Sequence, residues 1–577
     1  MKFSEFPYRR PDFDRLKLEI LSLLDKFSQA ASLTVQNEVI HAVNHLRNEF
    51  EAMSKLAGVR HTLDTTDLFY KAEQDYYDEA EPHYQEIIHQ YYGALVSSPY
   101  QQELAQRWGA QLFNIARMTL KTFSVAVIED LQQENKLASR YKQLLASANI
   151  IFAGQERNLA QMIPFQMSTD RQIRKSAHEA RYTFFSDHLE EFDGVFDELV
   201  KLRTEIARKL GFESFTELGY LRMNRSDYDA GMVASLRAEI ENYVVPLASQ
   251  LREKQRIRLG LDNLVYYDEL LFFPDGNAAP QGTPAEILSG GRKLYQELSE
   301  ETGTFFREMT DRGLLDVVSR KGKAAGGYCD YFEKFKAPFI FANFNGTSGD
   351  IDVLTHEAGH AFQVWLGRDE NVPEYYFATM EAAEIPSMGM EFFAWPWMEL
   401  FFEDADKYRY SHMTESALFL PYGSLGDEFQ HQVYANPGLS PSQRRQLWRR
   451  LEKKYLPHRD YADNDFLESG GFWFQQGHIF EVPFYYIDYV LAQVSVFQLW
   501  RKIGNDSKGA WADYLALCHQ GGSLPFTELI KTANLISPLD AGCVASVIRD
   551  VSAWFHDVDG DKGQFCPGGN NEKEESE

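Results

Sequence analysis

Cysteine is scarce in this chain. Four residues, Cys329, Cys518, Cys543 and Cys566, serve a length of 577, and no two form a Cys-x-x-Cys pair. So few thiols in so long a chain exclude a disulfide framework and predict a reducing compartment. Long apolar runs are missing too, since nothing approaches the roughly 18 uncharged apolar residues of a membrane-spanning helix. The opening stretch, MKFSEFPYRRPDFDRL, has neither the apolar h-region nor the small-residue cleavage site of a secretory signal. Positive charge is in short supply: 58 Lys and Arg face 85 Asp and Glu, a net of −27. That field repels a phosphate backbone and no long basic cluster offsets it, so nucleic-acid binding is excluded. The expectation is a cytoplasmic protein with neither nucleic-acid nor membrane partners; oligomeric state stays open.

What remains is a folding composition. Apolar residues make up 44% and aromatics 14%, which excludes global disorder. The length exceeds one ordinary core and predicts two or more lobes or one large multi-layer body. From residue 11 to about 265 the pattern is helix after helix. Leu16, Ile20, Leu23, Leu24 and Phe27 recur at three- and four-residue steps, with Pro11 at a first-turn position. Val39, Val43, Leu46 and Phe50 repeat the habit. No fixed-period repeat marks a solenoid.

The first strong punctuation is FFPDGNAAPQGTP at 272–284, a loop expected to lead into a helix from about 284 to 308. GGYCDYFEKFKAPFIFANFNGTSGD, 326–350, is aromatic, short-ranged and broken by Gly and Pro, which predicts a small hairpin or meander. Helical patterns resume at about 351 and run to 558. The remainder, 559–577, reads as an acidic disordered tail. The fold class is mostly α, with a small sheet just before the segment DVLTHEAGHAFQVWL.

That segment holds His356-Glu357-Ala358-Gly359-His360. Residues four apart share a helix face, so both imidazoles can reach one metal ion. Glu357 stands one step round, where a carboxylate can take a proton from metal-activated water. Val353, Leu354, Phe362, Val364 and Trp365 would bury the helix. A catalytic zinc ordinarily takes three protein ligands. Downstream, MEAAEIPSMGMEFFAWPWMEL offers Glu381, Glu384 and Glu391 at steps of three and seven. Three carboxylates beside Met388, Met390, Phe392, Phe393 and Trp395 are costly to bury without a cation. Spacing alone does not choose among them. The HxxxH at His41 and His45 lacks both the following Glu and a nearby third ligand, and His431 likewise reads as structural or exposed.

HEAGHAFQ followed by EIPSMGMEFF resembles the M3 metallopeptidases, the thimet oligopeptidase and oligoendopeptidase F family. The motifs that carry the resemblance cover about 325–495. It implies one Zn2+ per chain held by His356, His360 and Glu384, with Glu357 as general base and Glu391 or Glu381 orienting a ligand imidazole. It also implies a strand before the zinc helix that binds the substrate backbone, with Phe341, Ala342 and Asn343 as its edge. In GGFWFQQGHIFEVPFYYIDYVLAQ, 470–493, it points to His478, Tyr485 and Tyr486, with Tyr489 beside them, as substrate-binding and oxyanion-stabilising groups. The spacing from His478 to these tyrosines is shorter than the thimet pattern and closer to the bacterial oligoendopeptidase F type.

The implied architecture is a large, two-lobed multi-helix body enclosing a channel, with a small β-sheet beside the zinc-binding helix. An amino-terminal helical lobe would cover 1–200 and the catalytic domain 201–558. The implied activity is zinc-dependent hydrolysis of internal bonds in short peptides. Two rivals are an exopeptidase sharing HExxH and a helical scaffold whose metal site is not catalytic.

Overall fold

The computed structural model describes residues 1–324 and 326–560. Cys566 and nearly all of the expected acidic tail lie outside the described residues. Among those described are twenty-four α-helices, and none is long and apolar enough to cross a membrane. Helix starts follow capping chemistry. Asp12, rather than Pro11, opens the helix Phe13–Ser28, its carboxylate accepting from Arg15 N–H at 3.1 Å. Leu16, Ile20, Leu24 and Phe27 of that helix are buried, as are Val39, Val43 and Phe50 of Leu33–Leu63.

Two local expectations are corrected. The helix expected over 284–308 is two helices, Pro284–Leu298 and Glu300–Asp311. Ser299 divides them, accepting from Thr302 N–H at 3.1 Å as a new N-cap. Within the supposedly all-helical first half lies a hairpin, β1 (Ile150–Phe152) and β2 (Gln155–Arg157). Its two turn residues, Ala153 and Gly154, both have positive φ, at 50° and 75°. A two-residue turn that matches strand twist needs this conformation, and an alanine in it gives little warning.

The second sheet comprises β3 (Leu315–Val318), β4 (Tyr328–Phe332) and β5 (Ala337–Phe344), in the order β3-β5-β4. β5 pairs antiparallel with β4, setting Tyr328 against Phe341, and parallel with β3, setting Leu315 against Ile340. Phe341, Ala342 and Asn343 therefore lie on the central strand, not on an edge. The apolar run from Ala337 to Ala342, buried throughout, is the signature of a strand covered on both faces. The edge nearest HEAGH is β4.

β5 leads through a short loop into the helix Gly349–Leu366, which carries HEAGH. Asp350, in its first turn, accepts from the backbone N–H groups of Asn345 and Gly346, both at 2.8 Å. The negative charge there suits the positive end of the helix dipole. Ile351, Leu354, Ala358, Ala361 and Phe362 bury one flank. The next helix, Met380–Phe393, carries Glu381, Glu384 and Glu391 and contains Pro386. The two helices touch backbone to backbone at Gly359. A Cβ there would stand 2.4 Å from the Pro386 carbonyl oxygen and 2.6 Å from Ser387 Cα. Gly359→Ala is expected to cost at least about 1–3 kcal/mol, the range for overpacking a close contact. Thermal unfolding followed by circular dichroism measures it, and an unchanged Tm would mean the helices part freely.

Candidate metal centre

Helical spacing does what it was expected to do at HEAGH: His356 and His360 present their rings side by side, centroids 5.0 Å apart. Glu384 reaches them from the crossing helix. Its Oε2 lies 3.3 Å from His356 Nε2 and 3.4 Å from His360 Nε2. One ligand atom from each of the three lies within 4.8 Å of the others, and no second such group occurs among the described residues. Donors about 2.0–2.1 Å from one ion at tetrahedral angles stand roughly 3.3 Å apart, so this donor set fits zinc. Charge-assisted hydrogen bonds run shorter, at about 2.7–2.9 Å. Two nitrogens sharing one oxygen at longer range outline a cation's place. Burial resists the charge on Glu384, but His360 and His356 outweigh it and hold the carboxyl well below its usual range.

The other acids divide. Glu391 Oε1 lies 2.7 Å from His356 Nδ1, the nitrogen turned away from Glu384. Glu381 is buried but belongs elsewhere, beside Asp488, Arg225 and Asp227; burial and Asp488 lift its carboxyl to about 8. Glu357 is 7% exposed, and its Oε2 has no hydrogen-bond partner. Burial pushes its pKa up against the opposing pull of His356 and His360. A Cβ on Gly327, the residue just before β4, would stand 3.7 Å from Glu357 Oε1. The edge strand therefore begins right beside this carboxylate.

Tyr485 caps the helix Tyr486–Asn505, and Tyr486 and Tyr489 lie in its first turn. The Tyr485 hydroxyl donates to Glu384 Oε1, whereas the Tyr486 hydroxyl donates to Gln476 Oε1. His478 packs against Tyr485, Tyr486 and Tyr489, with centroids 4.8, 5.6 and 5.6 Å away. Burial lowers the His478 pKa, with Glu384 opposing, which favours the neutral ring. Phe484, just before these residues, has φ 71°, a left-handed conformation that costs a bulky residue energy unless its surroundings hold it. Two side chains hold it. Phe484 N–H donates to Gln430 Oε1 at 2.8 Å, and Arg225 Nη2 donates to the Phe484 carbonyl at 2.7 Å. Arg225 Nη2 also lies 2.6 Å from Asp488 Oδ1. The ring of Phe484 fits only because residue 219 is glycine, where a Cβ would approach it to 2.6 Å. Sequence reasoning missed Arg225 and Gln430, which carry no local signature.

His41 packs on Trp108 at 4.6 Å. His431 Nε2 lies 3.1 Å from the Tyr220 hydroxyl. Neither belongs to the group of His356, His360 and Glu384, and His41 is exposed.

A helical body with two histidines and a glutamate converging from crossed helices defines a metallopeptidase class, and sequence profiles agree. The Peptidase M3 N-terminal domain matches residues 3–123 and Peptidase family M3 matches residues 165–546. The chain belongs to peptidase family M3. A solved structure assigned as an oligoendopeptidase F is 56% identical and superposes with a TM-score of 0.95, covering 97% of this chain and 99% of that one. PZ peptidase A, solved with an inhibitor, is 55% identical with the same TM-score, over 97% and 100%. The chromosomal oligoendopeptidase F of Lactococcus lactis subsp. cremoris is 24% identical over 209 residues, 36% of this chain and 33% of the relative's length.

Proposed function

We propose that this chain is a zinc-dependent oligoendopeptidase that hydrolyses internal bonds of short peptides in the cytoplasm. The observation that carries the reading is the convergence of His356, His360 and Glu384 beside a buried carboxylate with a free oxygen, Glu357 Oε2. Zinc held by those three residues would polarise the scissile carbonyl and make water acidic enough to attack at neutral pH. Glu357 takes the proton from the attacking water and delivers it to the leaving amine. Tyr485, the tyrosine that already reaches Glu384, turns its hydroxyl to the developing oxyanion, with His478 behind it. Tyr486, tied to Gln476, supports the turn. Glu391 fixes the orientation of His356. The peptide backbone adds to the β4 edge, which starts next to Glu357. The restriction to short peptides would follow from a channel between an amino-terminal helical lobe, 1–200, and the catalytic part, 201–558. The scarcity of cysteine, four in 577 residues, supports the reducing compartment.

A quenched fluorescent peptide of seven to nine residues, blocked at both ends, tests the reading. Internal cleavage should vanish on chelation and return with zinc. A chain that binds zinc but cuts only peptides with a free terminus is an exopeptidase. One that neither binds metal nor cuts is a scaffold.

A further inference from the structure

The hydrogen bonds behind His356 do not end at Glu391. That carboxylate serves two imidazoles, one at each oxygen: Oε1 lies 2.7 Å from His356 Nδ1 and Oε2 lies 2.6 Å from His412 Nε2. His412 sits on a third helix, Ala405–Ala435, and is 5% exposed. Its other nitrogen, Nδ1, lies 3.1 Å from the indole Nε1 of Trp395. An indole N–H donates and never accepts. His412 Nδ1 is therefore the acceptor, and the ring's single proton sits on Nε2, aimed at Glu391. Burial resists a charge on this ring, and Glu391 and Asp352 favour one strongly enough to raise its pKa. A proton added at Nδ1 would set N–H against N–H, so the Trp395 contact favours Nδ1 as acceptor and Nε2 as donor. His356, with Nε2 turned to the metal position, keeps its own proton on Nδ1 and donates to the other oxygen.

The third helix is itself firmly placed. Arg409 donates to the Trp395 carbonyl through Nε at 3.2 Å and Nη2 at 2.8 Å. The Tyr408 hydroxyl donates to Asp352 Oδ1 at 2.7 Å. Tyr408 and His412 are four apart on one helix, as Asp352 and His356 are on the other. Two parallel struts thus join the helices, and one of them ends on a metal ligand.

We propose that His412, with its tautomer set by Trp395, is a positioning residue for the metal centre. It holds Glu391 in one orientation and, through Glu391, fixes the proton and direction of His356, without touching metal or substrate. The inference rests on the zinc reading above. Without the Nε2 donor, Glu391 has a buried oxygen with no N–H facing it and is free to rotate away from His356.

Zinc affinity of the full-length chain, measured by competition with a chromophoric chelator, tests this. Thermal unfolding of the metal-free protein serves as the structural control. His412→Phe keeps a ring but removes the donor, and is expected to weaken zinc binding about 10–100-fold, the usual loss for an outer-shell partner. His412→Gln places an amide N–H near the position of Nε2 and should stay within about threefold of wild type. KM for the peptide at saturating zinc should not move. Zinc bound by His412→Phe within about twofold of wild type overturns the inference. So does an equal loss in His412→Gln, which would leave only ring packing. Should His412→Phe not fold, Trp395→Phe decides. It keeps the imidazole but frees its tautomer, so weaker zinc binding is expected and unchanged binding overturns the inference. A wild-type chain that binds no zinc sinks the functional reading along with it. Equal binding by wild type and His412→Phe sinks the inference alone.

Discussion

The Glu357→Gln substitution is expected to leave one zinc per chain and to lower kcat by about 10²–10⁴-fold, the span attributed to a positioned general base. Glu357 is outside the donor group, so the metal does not depend on it. The amide nearly matches the carboxylate in volume, so no cavity opens beneath β4. What disappears is the capacity to accept a proton at Oε2, the buried oxygen that no other group of the protein engages. Burial already raises the proton affinity of this carboxylate, which brings it closer to the pH at which a base works best. Zinc content by atomic absorption and kcat from the blocked peptide give the two readouts. A variant that retains turnover within about tenfold of wild type removes Glu357 from the mechanism.

The second large effect is expected from Arg225→Met. Arg225 and Asp488 form an ion pair whose side chains are both 0% exposed. Removing one member of a buried pair strands the other, typically at a cost of about 3–5 kcal/mol. Burial lifts the Asp488 carboxyl to about 7, and Arg225 is the first of the groups that oppose it. The same guanidinium secures the Phe484 carbonyl, so the loss extends to the turn that presents Tyr485. Urea unfolding should shift to a lower midpoint, and residual folded protein should cleave peptide with reduced kcat. Adding Asp488→Asn to Arg225→Met should recover part of the stability, because the stranded charge goes while the unsupported turn stays. An unshifted midpoint in Arg225→Met would show that the pair contributes nothing.

How much of this was legible depends on the range over which each feature is encoded. The metal-ligand candidates lie at fixed steps on two successive helices, and helical geometry turns those steps into a shared face. Glu381 shows the limit of that logic. It lies on the same helix three residues from Glu384, yet it faces Asp488 and Arg225, because Met380–Phe393 is contacted on more than one side. The amino-terminal helices were readable from periodicity alone, as Ile20, Leu24 and Phe27 illustrate. The β1–β2 hairpin was not, since Ala153 occupies a conformation that glycine or asparagine would have advertised. The order of the sheet was also hidden. FIFANF lies next to the HEAGH helix in sequence, but the strand that follows it in space, β4, precedes it in the chain. Arg225, Gln430, Trp395 and His412 act through contacts that no local pattern encodes.

The clamp on Phe484 has a consequence for the order in which the site assembles. His356 and Glu384 are 28 residues apart, on adjacent helices that meet at Gly359. The Phe484 carbonyl waits for Arg225, 259 residues away in the chain. Closing the longer loop costs about 2 kcal/mol more in chain entropy by the logarithmic law. Contacts of high sequence separation also form slowly. The cluster of His356, His360 and Glu384 is thus a local product of two successive helices, and the turn that presents Tyr485 is a product of the whole chain. By this measure the three candidate ligands are expected to meet before Tyr485 is set beside them.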